Sequence, residues 1–219
     1  MTSEPVRPTA LLVDWGGVLT ADLSSVMAAW TSGEDFEAAH FADVMRHWFG
    51  ADGDAEARLN PVHALERGEA AVPDFEQVLA EELTRASGRS VSADGLLGRL
   101  FGHFSHAPDM VALVRRAHDA GIKTALLSNS WGNDYPSDLF DGMFDQVVIS
   151  GEVGMRKPEP EIFHYTARLV EAAPRECVFV DDLAHNVAAA ARLGFLGIHH
   201  VSYSVTATEV STLFAVDLR

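Results

Sequence analysis

Hydrophobic residues follow two patterns along the chain. Short apolar runs, most of them closed by a polar residue, occur at five places, and such runs are typical of strands buried on both faces of a parallel sheet. From residue 108 onward these runs alternate with segments whose apolar residues recur at helical spacing, as Met110, Leu113 and Val114 do. This alternation predicts the α/β class, with helices on both faces of a parallel sheet. The predicted strands are residues 10–14, 123–128, 146–150, 176–181 and 195–201.

The stretch between the first strand and residue 108 has a different character. Its apolar residues recur only at helical spacing, as Phe75, Leu79 and Leu83 do. Asp74, which follows a proline, is predicted to cap that helix. A polar break is predicted at residues 50–54. No strand pattern interrupts the stretch, so the sequence predicts a block of helices.

These two patterns predict a division of the chain. Residues 1–20 and 108–219 are expected to form the parallel-sheet core, in which residues 1–9 are a short lead-in. Residues 21–107 are expected to form a helical domain inserted into that core after the first strand.

Composition adds limits to this picture. The 219 residues carry a net charge of −16, and 47% of them are hydrophobic, enough for a sizeable core. An acidic surface opposes binding to nucleic acid and to anionic membranes, since both require clustered cations. Residues 1–8 lack the apolar core of a signal peptide, and no apolar run approaches the length of a membrane span, so we expect a cytoplasmic protein that binds neither nucleic acid nor membranes. Cys177, the only cysteine, lies in an apolar run and is predicted to be a packed core residue.

Polar residues suited to phosphate chemistry stand at or near the ends of four apolar runs. They are Asp14 after the first run, Ser128 and Asn129 after the second, Lys157 after the third, and Asp181 with Asp182 after the fourth. Taken singly, each has a common structural interpretation as a helix cap, a turn or a solvated loop residue. Because ligands of open α/β sheets bind beyond the C-terminal ends of the strands, the four groups are predicted to converge on one crevice.

The carboxylates of this set fit phosphoryl transfer. Asp14 would attack phosphorus and form an aspartyl-phosphate. Mg²⁺ bound by Asp14 and the adjacent pair Asp181 and Asp182 would offset the repulsion between these anions and the phosphate.

The remaining polar groups would hold the phosphoryl oxygens. Ser128 and Lys157 supply a hydroxyl and an ammonium group, and Asn129 belongs to the same loop as Ser128. Gly16 and Gly17 would let backbone N–H groups come close to the phosphate.

Four motifs, in this order, resemble those of the haloacid dehalogenase superfamily. They are LLVDWGGVLT with Asp14, TALLSNS with Ser128, GMRKPEPEIF with Lys157 and CVFVDDLAHNV with Asp181 and Asp182. The last two are especially similar to the phosphatase domain of soluble epoxide hydrolases. The resemblance implies a Rossmann-like core, Mg²⁺ dependence and hydrolysis of small phosphate esters. It also implies that residues 21–107 are the small cap domain that follows the first motif in the family.

One position departs from the pattern of the family's phosphatases. They usually carry a second Asp two residues after the nucleophile, as general acid and base, and this chain has Gly16 there. The resemblance implies that the Gly16 carbonyl still binds Mg²⁺, but the side-chain proton donor is gone. Three hypotheses follow: the leaving group needs no acid, a cap residue such as His63 or Glu66 or a water molecule supplies the proton, or the protein binds without efficient cleavage.

Two alternatives to a phosphatase stay open. Dehalogenases of the superfamily also lack the second Asp, but they use no Mg²⁺ and lack the acidic pair, so Asp181 and Asp182 favour a phosphatase. A catalytically weak protein that binds a phosphorylated ligand is the other alternative. The sequence predicts a Mg²⁺-dependent phosphatase of small phosphorylated metabolites, as a monomer or homodimer.

Overall fold

The computed structural model describes residues 7–49, 60–132 and 135–219. Most of the predicted lead-in and the predicted polar break at residues 50–54 lie outside the described residues. The strands are β1 (Ala10–Val13), β2 (Lys123–Ser128), β3 (Gln146–Ile149), β4 (Cys177–Asp181) and β5 (Leu196–His199). The helices are α1 (Leu23–Thr31), α2 (Ala38–Phe49), α3 (Pro61–Glu66), α4 (Val72–Ser87), α5 (Leu96–Phe101), α6 (Pro108–Asp119), α7 (Ser137–Phe140), α8 (Ser150–Val153), α9 (Pro160–Leu169), α10 (Ala184–Arg192) and α11 (Tyr203–Phe214).

The five strands form one parallel sheet in the order β3-β2-β1-β4-β5. Strand β1 lies at the centre, where Leu12 pairs with Ala125 of β2 on one side and with Phe179 of β4 on the other. The order reverses at β1, and ligands of doubly wound sheets bind at such a reversal. The α/β class and the Rossmann-like core are therefore confirmed.

Side chains alternate between the two faces of the sheet along each strand, and helices bury both faces. Leu11 and Val13 of β1 face a hydrophobic cluster formed with α6 and α11. Ala10 and Leu12 face the opposite cluster, formed with α9 and α10. Burial on both faces explains why β1 is a continuous apolar run in the sequence.

Helices α1 to α5 pack around a third hydrophobic cluster, which includes Trp30, Phe75, Leu79 and Leu83. These helices connect to the core through neighbouring backbone segments. Thr20 and His106 form an isolated antiparallel bridge, and the N–H of Ala21 donates to the carbonyl of Ser105 at 2.8 Å. The chain thus leaves the core and returns to it at one place.

The structure differs from the sequence prediction at two helices. Helix α4 begins at Val72, with Ala71 at the cap position and Pro73 in its first turn, so the prediction that Asp74 is the cap is wrong. Asp74 lies inside the first turn instead, where its charge suits the positive end of the helix. Helix α8, directly after β3, was not predicted, because a single helical turn has too few residues to show a hydrophobic period.

Two further sequence predictions concern single features. Cys177 is fully buried in β4, as predicted for a packed core residue. Within the part of the chain that the structure describes, no helix combines the length and the apolar composition of a membrane span.

Candidate active site

Asp14 follows the last residue of β1 and lies at the C-terminal edge of the sheet, with only 7% of its surface exposed. Its Oδ1 accepts a hydrogen bond from the N–H of Trp15 at 2.7 Å and lies 2.7 Å from Nζ of Lys157. Among the described residues, no hydrogen bond reaches Oδ2 of Asp14. One carboxylate oxygen is therefore anchored, and the other remains available for chemistry.

Lys157 joins two of the predicted carboxylates. Its Nζ also donates to Oδ2 of Asp181 at 2.7 Å, and the side chain is almost completely buried. Burial opposes the charge of the ammonium group, but the attraction of Asp14 and Asp181 outweighs burial and raises the pKa of Lys157 above its ordinary value. Lys157 is therefore protonated in the folded protein.

Asn129 positions the loop that carries Lys157. The backbone N–H of Lys157 donates to Oδ1 of Asn129 at 2.8 Å, and Nδ2 of Asn129 donates to the carbonyl of Lys157 at 3.0 Å. Both polar groups of this amide are thus used within the protein, although Asn129 also lines the cavity beside the site. The contacts give Asn129 a structural part in holding the lysine.

The acidic pair completes a cluster of three carboxylates. Oxygen atoms of Asp14, Asp181 and Asp182 lie within 4.8 Å of one another. Burial, reinforced by the nearby charge of Asp181, raises the pKa of Asp182 to about 6. Burial also raises the pKa of Asp14 to about 7, against the opposing effect of Lys157. The excess of negative charge in this cluster is the kind of environment that a divalent cation stabilises.

Asp181 is held rigidly at the centre of the cluster. Besides Lys157, it accepts hydrogen bonds from the N–H of Leu183 at 2.8 Å and from Nδ2 of Asn186, which lies 3.1 Å from both carboxylate oxygens. These contacts place Asp181 below the cavity, while Asp182 lines it directly.

Ser128, at the end of β2, also lines the cavity. Its hydroxyl oxygen lies 2.9 Å from the hydroxyl oxygen of Tyr135. Tyr135 in turn packs edge-on against the indole of Trp15. Tyr135 could not be found from the motifs, because it lies seven residues beyond Ser128 and at no strand end.

The two glycines after β1 occupy different places. Gly16 lines the cavity, and a Cβ added there would meet nothing within 4 Å. Gly17 has φ of +69°, and a Cβ added there would lie 2.3 Å from Oδ2 of Asp182. The N–H of Gly17 donates to Oγ1 of Thr20 at 3.0 Å, so this donor is directed at the turn rather than at a phosphate.

A cavity of about 1110 Å³ opens above these residues, between the sheet edge and the inserted helices. Its floor includes Asp14, Gly16, Ser128, Lys157 and Asp182. Asp181, which lies below, and Gly17 do not line it. The structure therefore brings the four predicted strand-end groups together at one crevice.

Glu66 connects α3 of the inserted helices to the core. Its Oε1 accepts a hydrogen bond from Nε1 of Trp131 at 3.1 Å, and its Oε2 accepts one from Nε of Arg156. Glu66 and Arg156 are both buried. A carboxylate paired in this way is poorly suited to donate a proton, so the structure does not favour Glu66 as the missing acid. Trp131 and Arg156 lie next to motif residues, but nothing in the motifs indicates their contact with Glu66.

Three of the described histidines are relevant to the site or lie next to it. His63 lines the cavity, and its ring centroid lies 5.5 Å from that of Phe49. His199 and His200 hydrogen-bond to the carbonyl of Asp182 and to the hydroxyl of Thr206, both at 2.9 Å. The latter contacts are structural.

Residues 8–194 match the family described as haloacid dehalogenase-like hydrolase. The match covers most of the chain, and it agrees with the fold and with the order of the motifs. The chain belongs to this family and is a hydrolase.

Several curated proteins are similar to parts of the chain. The sesquiterpene phosphatase astK of Aspergillus oryzae is 31% identical over 48% of this chain and 55% of its own length. The bifunctional epoxide hydrolase 2 of Rattus norvegicus is 26% identical over 63% of this chain and 28% of its own length. The (S)-2-haloacid dehalogenase 4A of Burkholderia cepacia is 29% identical over 56% of this chain and 57% of its own length. The chain thus spans between about a quarter and just over half of the length of these relatives.

A solved structure confirms the fold independently. The haloacid dehalogenase family enzyme of Bacteroides thetaiotaomicron, crystallised with magnesium and inorganic phosphate, has a TM-score of 0.61 against this chain. The alignment covers 91% of this chain and 98% of that enzyme, at 21% identity. At this identity the similarity speaks for the fold.

Proposed function

We propose that the protein is a Mg²⁺-dependent phosphatase of small phosphorylated metabolites that works through an aspartyl-phosphate on Asp14. The observation that carries this proposal is the position of Lys157, within 2.7 Å of both Asp14 and Asp181 on a cavity floor that Asp182 also lines. Relatives that are phosphatases support the same class of reaction.

The carboxylates fit a Mg²⁺ ion. Three of them lie within 4.8 Å of one another with a single buried ammonium group, Lys157, in contact with two of them. Mg²⁺ prefers hard oxygen ligands, which Asp14, Asp181, Asp182 and the Gly16 carbonyl would supply. When bound, the ion would offset the charge of an incoming phosphate. The fold neighbour from Bacteroides was crystallised with magnesium and phosphate, which supports this assignment.

The side chains divide the work as follows. Lys157 and the N–H of Trp15 hold Oδ1 of Asp14, and Oδ2 attacks phosphorus as the bond to the leaving oxygen breaks. Ser128 and Lys157 bind the phosphoryl oxygens. Water then cleaves the aspartyl-phosphate, which releases inorganic phosphate and restores the Asp14 carboxylate.

The glycine at position 16 restricts the leaving group. A general acid typically contributes about 10²–10⁴-fold to a rate, and Gly16 offers none. Substrates whose leaving group departs without protonation, such as acyl phosphates and anomeric phosphates, should therefore react best.

Residues 21–107 are proposed to act as the cap domain, with residues 1–20 and 108–219 as the core. Helices α1 to α5 have their own hydrophobic cluster and wall the cavity from above, which supports this division. Such a cap would keep bulk water away from the site while the substrate is bound.

The test is phosphate release from a panel of acyl, anomeric and alkyl phosphates, with Mg²⁺ or with a chelator. We expect release by the wild-type protein with Mg²⁺ only, and none by Asp14→Asn, which has the same shape but no nucleophilic carboxylate. Val147→Gln, an exposed change on β3 away from the cavity, is the matched control and should retain activity. Release by Asp14→Asn at the wild-type rate would overturn the mechanism.

A 2-haloacid dehalogenase is the second candidate. Gly16, which removes the proton donor, and the similarity to the Burkholderia dehalogenase favour it. The same protein would then release halide from a 2-haloacid without added metal. A protein that binds inorganic phosphate in calorimetry but releases neither product would be a binding protein. For the protein itself, the cytoplasmic location and the oligomeric state, a monomer or a homodimer, are predictions from the sequence alone.

A further inference from the structure

One wall of the cavity is apolar. Above the carboxylates, helices α1, α2 and α5 and the residue three positions beyond α5 contribute thioether, aliphatic and aromatic side chains. These are Met27, Phe41, Met45, Leu100, Phe101 and Phe104. Such a wall offers no hydrogen bonds to the hydroxyl groups of a sugar, and it gains free energy when a hydrocarbon displaces water from it.

The charged part of the lining includes two arginines, and both of them pair with carboxylates. Nε of Arg67 lies 2.9 Å from Glu69, and its Nη1 lies 2.8 Å from Glu159, while Arg156 pairs with Glu66. With Lys157 also paired, every described lysine and arginine that lines the cavity contacts a carboxylate. None of the described lysines and arginines of the cavity is therefore left unpaired for a second phosphate or a carboxylate on the substrate.

The cavity is also larger than a phosphorylated three-carbon compound requires. Its volume of about 1110 Å³ lies just above the range of about 300–1000 Å³ that is usual for ligand pockets. A phosphoryl group at the floor fills a small part of this space and leaves the rest to the remainder of the substrate.

We propose that the substrate carries one phosphoryl group, on a leaving group that departs without protonation, and an extended apolar tail, which packs against Met45 and Phe101. The inference rests on the proposed function, since it places the phosphoryl group beside Asp14. It makes the apolar residues of α2 and α5 the ones that determine specificity. It also narrows the general class of small phosphorylated metabolites to those with a hydrocarbon tail.

The test separates tail binding from turnover. Linear alkylphosphonates carry a carbon–phosphorus bond that the proposed reaction cannot break, so their inhibition constants report binding alone. They are assayed from methyl to octyl, below the concentrations at which they aggregate, against the Mg²⁺-dependent hydrolysis of acetyl phosphate. We expect the inhibition constant to fall by up to about fourfold for each added methylene until the tail fills the cavity.

Two wall variants locate the effect. Met45→Gln and Phe101→Ser, on different helices, should each reduce the preference for octyl- over methylphosphonate by about tenfold, because a buried apolar side chain contributes that much. Val78→Gln changes an exposed apolar residue of α4 that does not line the cavity and should leave the preference unchanged. Using two wall variants keeps the test valid if one of them fails to fold.

The outcomes distinguish the two levels of the proposal. Hydrolysis of acetyl phosphate with equal inhibition by all chain lengths would overturn the apolar tail and leave the phosphatase intact. No hydrolysis of acetyl phosphate or any other panel compound would overturn the proposed function itself. Longer chains could also bind more tightly, and to the same extent, in the wild-type protein and in all three variants. That result would place the tail away from Met45 and Phe101 and overturn the assignment.

Discussion

At the scale of single residues, the two glycines after β1 show how differently neighbouring positions can be constrained. Gly17 needs a left-handed backbone, with φ of +69°, and approaches Asp182 too closely for any side chain. Gly16 has open space where a side chain would project. A side chain could therefore be accommodated at position 16 but not at position 17.

We predict that Gly17→Ala will weaken Mg²⁺ binding and lower stability. Its methyl group would displace the Asp182 carboxylate, and φ of +69° adds a backbone cost of about 1 kcal/mol. Thermal unfolding with and without Mg²⁺ measures both effects. The matched control is Gly16→Ala, which should unfold at the wild-type temperature. Equal behaviour of the two variants would show that the contact with Asp182 is unimportant.

The second prediction concerns the missing acid. Gly16→Asp should fold, and it should raise the hydrolysis of alkyl phosphates relative to acetyl phosphate, by up to about 10²–10⁴-fold. Gly16→Asn has nearly the same shape but no acidic proton, and it should give no such gain. If kcat/KM ratios rise equally in both variants, proton donation is not the cause.

At the scale of elements, α3 matters because it joins the inserted helices to the core through one buried ion pair. Glu66 of α3 accepts hydrogen bonds from Arg156 and Trp131, both of them on the core side. These contacts bring together segments 65 and 90 residues apart in the sequence. The position of the cavity wall therefore depends on them.

Removing one partner of this pair should be costly. We predict that Arg156→Met lowers the free energy of unfolding by about 3–5 kcal/mol, because it leaves the Glu66 carboxylate buried without its cation. Adding Glu66→Gln should recover part of the loss, since a neutral amide can still accept from Trp131. Urea unfolding measures each variant. Arg219→Met, which breaks an exposed pair with Asp217, should leave the midpoint unchanged. Additive losses in the double variant would contradict the coupling.

At the scale of the whole molecule, the buried thiol of Cys177 should make global stability depend on alkaline pH. Burial raises its pKa from 9.0 to about 12. Below pH 9 the thiol is neutral in both states and has no effect. Above pH 9 the unfolded state loses its proton while the folded state keeps it, so stability falls as pH rises.

Urea midpoints at pH 7.5 and pH 10 provide the measurement. The wild-type midpoint should fall more over this interval than that of Cys177→Ala, which shares every other titrating group. The comparison uses the difference between pH values, because removing the side chain also changes packing. A parallel fall in both proteins would rule the thiol out.

Whether a structural feature can be predicted from the sequence depends on how far apart in the chain the residues that determine it lie. The strands and the convergence of Asp14, Ser128, Lys157 and Asp181 were predictable, since apolar runs and strand ends are local patterns combined by one rule of sheet topology. The pairing of Glu66 with Arg156 was not, because nothing local joins residues 90 positions apart. The start of α4 at Val72 rather than Asp74 shows a third limit, since several residues near a helix end can serve as its boundary.

The antiparallel bridge between Thr20 and His106 makes the inserted helices a cassette. Thr20 and His106 lie side by side beyond the C-terminal ends of the strands. A helical segment of another length could therefore be inserted between them without changing the strand register. The distance between Asp14 and Lys157 should not change in such an exchange, because β1 and the loop after α8 both belong to the part of the chain that is kept. Chimaeras that keep this bridge and the contact of Glu66 with Arg156, and that replace the other intervening residues, would therefore carry a new cavity wall on the same cavity floor.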